Sequence, residues 1–199
     1  IGRTLLYAFG GDYQNNAFVA YAMRSVDGGQ SWVDARDVSQ KLDMQVMATD
    51  VISADRLAIV GGCYIGCQTH AYQLDMSSAV VSMLDRPTGH VGGSWDIAVT
   101  RAGVGIIVSA DLMRTTDGGE TWTAFRVRET NRSRGVALDE SGFGLLVGFS
   151  GSVDATFDGT WTWHPQPKFT EHNLKQVWIG NPSEAIVVGD SGTVLRWGH

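Results

Sequence analysis

RTTDGGETW, residues 114–122, decides how this chain is read. Two glycines accept the positive φ of a tight hairpin cheaply, and an aspartate just before them can accept the amide hydrogens that such a turn leaves unpaired. The flanking Thr115 and Thr121 hydroxyls can bond neighbouring backbone, and Trp122 offers a broad flat surface under the loop. Every residue in the stretch therefore has a structural task, and Asp117 is read as the bolt of a turn, not as a catalytic acid.

The stretch recurs as RSVDGGQSW (24–32) and, more weakly, as ATFDGTWTW (155–163). The shared pattern is Ser/Thr-x-Asp-Gly-x-x-Ser/Thr-Trp, with Asp27 and Trp32, Asp117 and Trp122, and Asp158 and Trp163 at matching places. Asp158 follows Asp117 by 158 − 117 = 41 residues and Asp117 follows Asp27 by 117 − 27 = 90, so a further member belongs about midway, where YQLDMSS supplies Asp75 without glycines or tryptophan. Short apolar runs keep the same beat: LLYAFGG (5–11), RLAIVGG (56–62), GIIVSAD (105–111), FGLLVGF (143–149) and EAIVVGD (184–190). A second series precedes them, QVMAT (45–49), DIAVT (96–100), RGVAL (134–138) and QVWIG (176–180). Each run reads as a buried strand stopped by turn formers. Four strands per ~40 residues are the signature of a propeller blade.

The predicted fold is thus all-β, a single β-propeller domain of about five four-stranded antiparallel blades over residues 1–40, 41–86, 87–129, 130–168 and 169–199. Counting from the axis, the first unit lacks its innermost strand and the last its outermost. Eighteen strands are therefore expected where five full blades need twenty; either the ends close the ring unusually or flanking chain is absent.

The turn pattern resembles the Asp-box, or BNR repeat, of sialidases, the sortilin family and the photosystem II stability/assembly factor family. The closing GDSGTVLRW is similar to the strand and turn that lead into such a box in the assembly-factor family. The resemblance implies that the boxes lie on the outer hairpins, on the face away from the usual binding site. It also suggests an extracellular or virion-associated setting, such as a phage tail or another surface structure.

Composition narrows the partners. A net charge of −6, a pI near 5.2 and no run of lysines or arginines leave no basic patch for nucleic acid or anionic membrane. No apolar stretch approaches the ~18 residues of a membrane span, so no insertion is expected. No signal-peptide pattern opens the sequence, and its first residue is Ile1. Cys63 and Cys67 either bridge a loop in an oxidising compartment or are inert thiols. With His70 nearby but no fourth ligand, no metal site is expected, and no cofactor either.

Function then falls to the connections on the face opposite the Asp-Gly turns. Aligning the inner strands places Asp43, Trp95, Arg134 and Lys175 near the channel mouth, with Gln45, Asp96 and Gln176 one or two steps further in, and Trp178 is counted on the same ligand-binding face. An aromatic platform among amides and carboxylates suits a sugar ring or a protein hot spot, although Trp95 and Trp178 could equally fill the channel. A sialidase-like site needs converging arginines, a tyrosine nucleophile with a glutamate partner and an acid on a loop. Arg132 and Arg134 are suitably placed, but other blades carry no equivalent arginine and the YRIP-type opening is absent. Asp43 and Asp96 form a carboxylate pair of the kind any such ring yields by chance, and His90 reads as a loop residue. The expectation is a non-enzymatic module that binds a protein or glycan or serves assembly, with oligomer formation open; a sialidase-like hydrolase, or a fragment of one, is the alternative.

Overall fold

A computed structural model describes residues 5–14, 17–62, 70–84, 93–127 and 133–198. Among these residues, eighteen strands form five antiparallel sheets in which neighbours in sequence pair. Blade 1 holds β1 (Leu6–Gln14), β2 (Ala17–Ser25) and β3 (Val33–Asp34), and the short helix α1 (Arg36–Ser39) leads out of it. Blade 2 holds β4 (Gln45–Ser53), β5 (Arg56–Gly62), β6 (His70–Asp75) and β7 (Val80–Met83). Blade 3 holds β8 (Asp96–Val99), β9 (Gly105–Val108), β10 (Leu112–Thr115) and β11 (Thr123–Phe125). Blade 4 holds β12 (Ser133–Leu138), β13 (Gly144–Gly148), β14 (Val153–Thr156) and β15 (His164–Pro165). Blade 5 holds β16 (Leu174–Asn181), β17 (Glu184–Gly189) and β18 (Val194–Trp197). The inner strands β4, β8, β12 and β16 lie side by side in that order, as the first strands of successive propeller blades do.

The second strand of blades 2, 3 and 4 is apolar on both faces because it is sandwiched between neighbouring blades. Ile106, Ile107 and Val108 of β9 are fully buried. Ile107 joins Ile97, Met113 and Trp122 against Ala58, Val60 and Ala71 of blade 2, while Ile106 and Val108 pack with Val136 and Leu146 of blade 4. Blade 1 meets blade 2 through Ala20 and Ala22 on Leu57 and Ile59, and blade 4 meets blade 5 through Leu145 and Val147 on Ala185 and Val187. Each blade thus has a leading side toward the next and a trailing side toward the last.

The three Asp-Gly turns repeat one hydrogen-bond pattern. The Thr115 hydroxyl donates to Asp117 Oδ1 (2.7 Å) and accepts the Gly119 amide (2.9 Å), and Asp117 accepts both the amide (3.0 Å) and hydroxyl (2.5 Å) of Thr121. The Trp122 indole closes the turn on the Gly119 carbonyl (3.0 Å). Asp27 makes the same contacts with Ser25, Ser31 and, through Gly29, Trp32; Asp158 makes them with Thr156, Thr162 and, through Thr160, Trp163. At each of these turns a carboxylate accepting hydroxyl and amide hydrogens is held in its charged form, with a pKa of about 2. In blade 2, Asp75 bonds Ser77 and Ser78 and has a pKa of about 2 as well.

One further bond ties the two hairpins of each four-stranded blade together. The amide that follows the aspartate donates to a carbonyl in the turn between the first and second strands: Met76 to Asp55 (2.8 Å), Gly118 to Gly103 (2.9 Å) and Gly159 to Gly142 (2.9 Å). Gly103 has φ +84°, and a Cβ there would stand 2.8 Å from the Gly118 nitrogen, so the approach requires glycine.

Candidate functional site

The opposite end of the blades, where the inner strands begin, holds most of the residues that sequence alignment assigned to a binding face. Trp95 precedes β8 and Arg134 is the second residue of β12, and their blades bring the Arg134 guanidinium 3.9 Å from the centre of a Trp95 ring. The Phe149 ring covers it at 4.2 Å. Contact with two rings fixes the direction of the cation. Lys175, at the matching place in β16, forms an ion pair with Asp190 (2.5 Å), and that Lys175 contact is the main reason Asp190 lies below the ordinary carboxylate range.

Asp96 sits one residue deeper and is buried. Its Oδ2 accepts the backbone amide of Val136 on the next blade (3.0 Å) and its Oδ1 accepts the amide of Ile97 (3.0 Å). With the Gln176 amide oriented so that its nitrogen donates, that nitrogen stands 3.0 Å from Asp96 Oδ2. Gln176 belongs to β16 and must cross β12 to arrive. Gly135 lets it pass, because a Cβ there would stand 2.7 Å from the Lys175 carbonyl oxygen. Desolvation pushes the Asp96 pKa up to about 6 against the opposing amide bonds, with a smaller contribution from the charge on Asp50.

Asp50, in the middle of β4, does the same work one blade earlier: its Oδ2 accepts the Val99 amide of β8 at 2.7 Å, and burial raises its pKa. The alignment of turns and strand starts gave no hint of this residue. The signal available was an acidic side chain inside an otherwise apolar strand, which must be bonded to be buried.

The remaining assigned residues are less closely gathered. Asp43 accepts the Tyr72 hydroxyl (2.5 Å) and lies 2.7 Å from His70 Nδ1 within blade 2. Desolvation opposes its charge, but the Tyr72 bond and His70 outweigh it, so its pKa is lowered. Gln45 lies against β1, near Gly11. Trp178 stands apart: it is on the exposed leading side of blade 5, over Gly180 and away from the stacked Arg134. Cys63, Cys67, His90 and Arg132 lie outside the described residues.

Two clefts open at the Asp-Gly end of the blades instead. One of about 590 Å³ is lined by Asp50, Ser53, Val99, Arg101 and Glu140, and one of about 390 Å³ lies between the turns of blades 3 and 4, at Thr100, Leu138, Asp139 and Asp158. Glu140 accepts the Arg101 amide (3.0 Å) and so joins these two blades at the cleft. Among the described residues no group of His, Cys, Asp and Glu is arranged to hold a metal ion, and no helix is long and apolar enough to cross a membrane.

Radial antiparallel blades define the class: this is a β-propeller fold. The chain is similar to YCF48 from Cyanidioschyzon merolae, with a TM-score of 0.66 and 12% identity over 92% of this chain and 64% of that one. It is also similar to the GH74 xyloglucanase from Xanthomonas campestris, with a TM-score of 0.69 and 17% identity over 98% of this chain and 34% of the other. The GH74 enzyme of Niastella koreensis gives a TM-score of 0.64 at 15% identity, over 98% and 36% respectively. The chain therefore spans less than two thirds of each of these structures, and at such identities the likeness is one of fold. No protein-family model and no curated protein matches it.

Proposed function

We propose that this propeller is a non-catalytic binding or assembly module that engages a protein or glycan at the end where its inner strands begin. The observation that carries this reading is the employment of Asp43 and Asp96, the carboxylates that the sequence singled out at that end. Asp96 is buried on the Val136 amide and Asp43 is held by Tyr72 and His70, whereas glycoside hydrolysis needs two carboxyl groups facing one bond across ~5–10 Å. What the same end gathers for a ligand is the Trp95 and Phe149 rings with the Arg134 guanidinium against both, beside the Lys175–Asp190 ion pair of the adjoining blade. Such an arrangement suits a carboxylate or a polar, hydroxyl-rich surface.

A second reading, a glycoside hydrolase, is favoured by the raised pKa of Asp96, which fits a general acid, and by the fold shared with the GH74 enzymes. An array of neutral and sialylated glycans separates the possibilities. Binding that Arg134→Ala abolishes identifies a glycan ligand; silence of the array leaves a protein as the partner. Release of product from xyloglucan or a sialyl reporter by the 199-residue protein, lost in Asp96→Asn, would overturn the non-catalytic reading.

A further inference from the structure

Equivalent side chains on the five blades have unequal surroundings. Ile106 and Val108, Leu145 and Val147, and Ala58 and Val60 occupy the leading side of the second strand in blades 3, 4 and 2, and all six are at most 1% exposed. Their counterparts in blade 5, Ile186 and Val188, are each 40% exposed, and Trp178 and Val194, on the same side by strand register, are exposed too. The trailing side of blade 1 shows the complementary defect. Trp32 is 39% exposed where its counterpart Trp122 is 5%, and Leu6, Ala8 and Met23 are exposed beside it. No apolar cluster of the described residues joins blade 5 to blade 1. Both outer faces carry the residue pattern of a blade interface without a blade upon them, and folded monomers rarely expose patches of this kind.

We infer that the leading face of blade 5 docks on the trailing face of blade 1 of a second copy of this chain, continuing across molecules the interface that each blade makes with the next. Polarity and size favour this pairing over two like faces. Every intramolecular interface mates a leading with a trailing side, and the blade 4/5 interface sets bulky Leu145 and Val147 on a face containing Ala185. Blade 5 likewise offers Trp178, Ile186 and Val188, and blade 1 receives them around Ala8 and Gly10, where a Cβ on Gly10 would meet nothing within 4 Å. Two blade 5 faces together would set Trp178, Ile186 and Val188 against one another with no small residue opposite to receive them. Contacts of this heterologous type close into a ring when the rotation permits and otherwise build a filament.

The test uses the 199-residue protein with Val188→Glu and, separately, Met23→Glu, both at exposed positions, with near-ultraviolet circular dichroism confirming that each is folded. Sedimentation velocity across a wide concentration range should show assembly of the parent protein and monomers of each variant. An equimolar mixture of the two should form a capped heterodimer, because each retains the face the other has lost. Ile186→Lys and Leu6→Lys repeat the experiment should the first pair fail to fold. A parent protein that stays monomeric overturns the inference. So do variants that still self-associate, as like-to-like pairing requires, and a mixture that remains monomeric.

Discussion

Asp96 and Asp117 carry the same carboxyl group into opposite surroundings, and the sign of their effect on stability differs accordingly. The Asp117 pKa falls to about 2, so its contribution is present above the unfolded value of 3.8 and is lost as pH falls toward 2; Asp27, Asp75 and Asp158 behave alike. The Asp96 pKa rises to about 6, so its contribution is complete below 3.8 and is lost as pH rises through 6. A rise of roughly two units corresponds to on the order of 2–3 kcal/mol. Thermal melts should therefore weaken on both sides of about pH 4 through these groups, and Asp96→Asn should flatten the limb between pH 4 and 6 while leaving the acid limb unchanged. The role of Asp117 was readable from the residues around it in the chain. That of Asp96 was not, because the amide it serves lies 40 residues away on another blade.

At the scale of the element, the degenerate third turn holds an avoidable cost. Thr160 stands where the strong copies have Gly29 and Gly119, and it adopts φ +89° with its hydroxyl buried and without a hydrogen bond. A β-branched residue in that region is strained by about 1–2 kcal/mol. Thr160→Gly should raise the melting temperature by roughly 2–8 °C, the shift expected of such a relief in a domain of this length. The two closing tryptophans provide a second comparison, made in the Met23→Glu background to keep the chain monomeric. Trp122→Ala, which empties a site between blades 2 and 3, should cost about 3–5 kcal/mol in denaturant unfolding. Trp32→Ala, at a partly exposed site, should cost about 1 kcal/mol or less.

Across the whole molecule, the blades are joined by apolar clusters and by backbone contacts that leave no room for a side chain. Gly135→Ala would set a Cβ 2.7 Å from the Lys175 carbonyl, and backbone cannot yield there as a flexible side chain would. The inner strands β12 and β16 should part, the Gln176 bond to Asp96 should be lost, and stability should fall by about 1–3 kcal/mol in chemical unfolding. A glycine inside the strand run RGVAL (134–138) has no local reason in the sequence, since the chain that crosses it is supplied by the next blade. Trp178 shows the same limit in reverse. Its spacing placed it among the binding residues, yet its side of β16 turns it, with Ile186, to the exposed leading face of blade 5.

The sequence by itself determined the repeating unit, the order and number of its strands and the chemistry of its turns, because each of these rests on residues within a few positions of one another and on a fixed beat along the chain. Only the tertiary structure decided which carboxylates are buried, which arginine is clamped between rings and which blade faces are exposed. Those outcomes depend on neighbours about 40 residues away, brought near by the packing of one blade on the next.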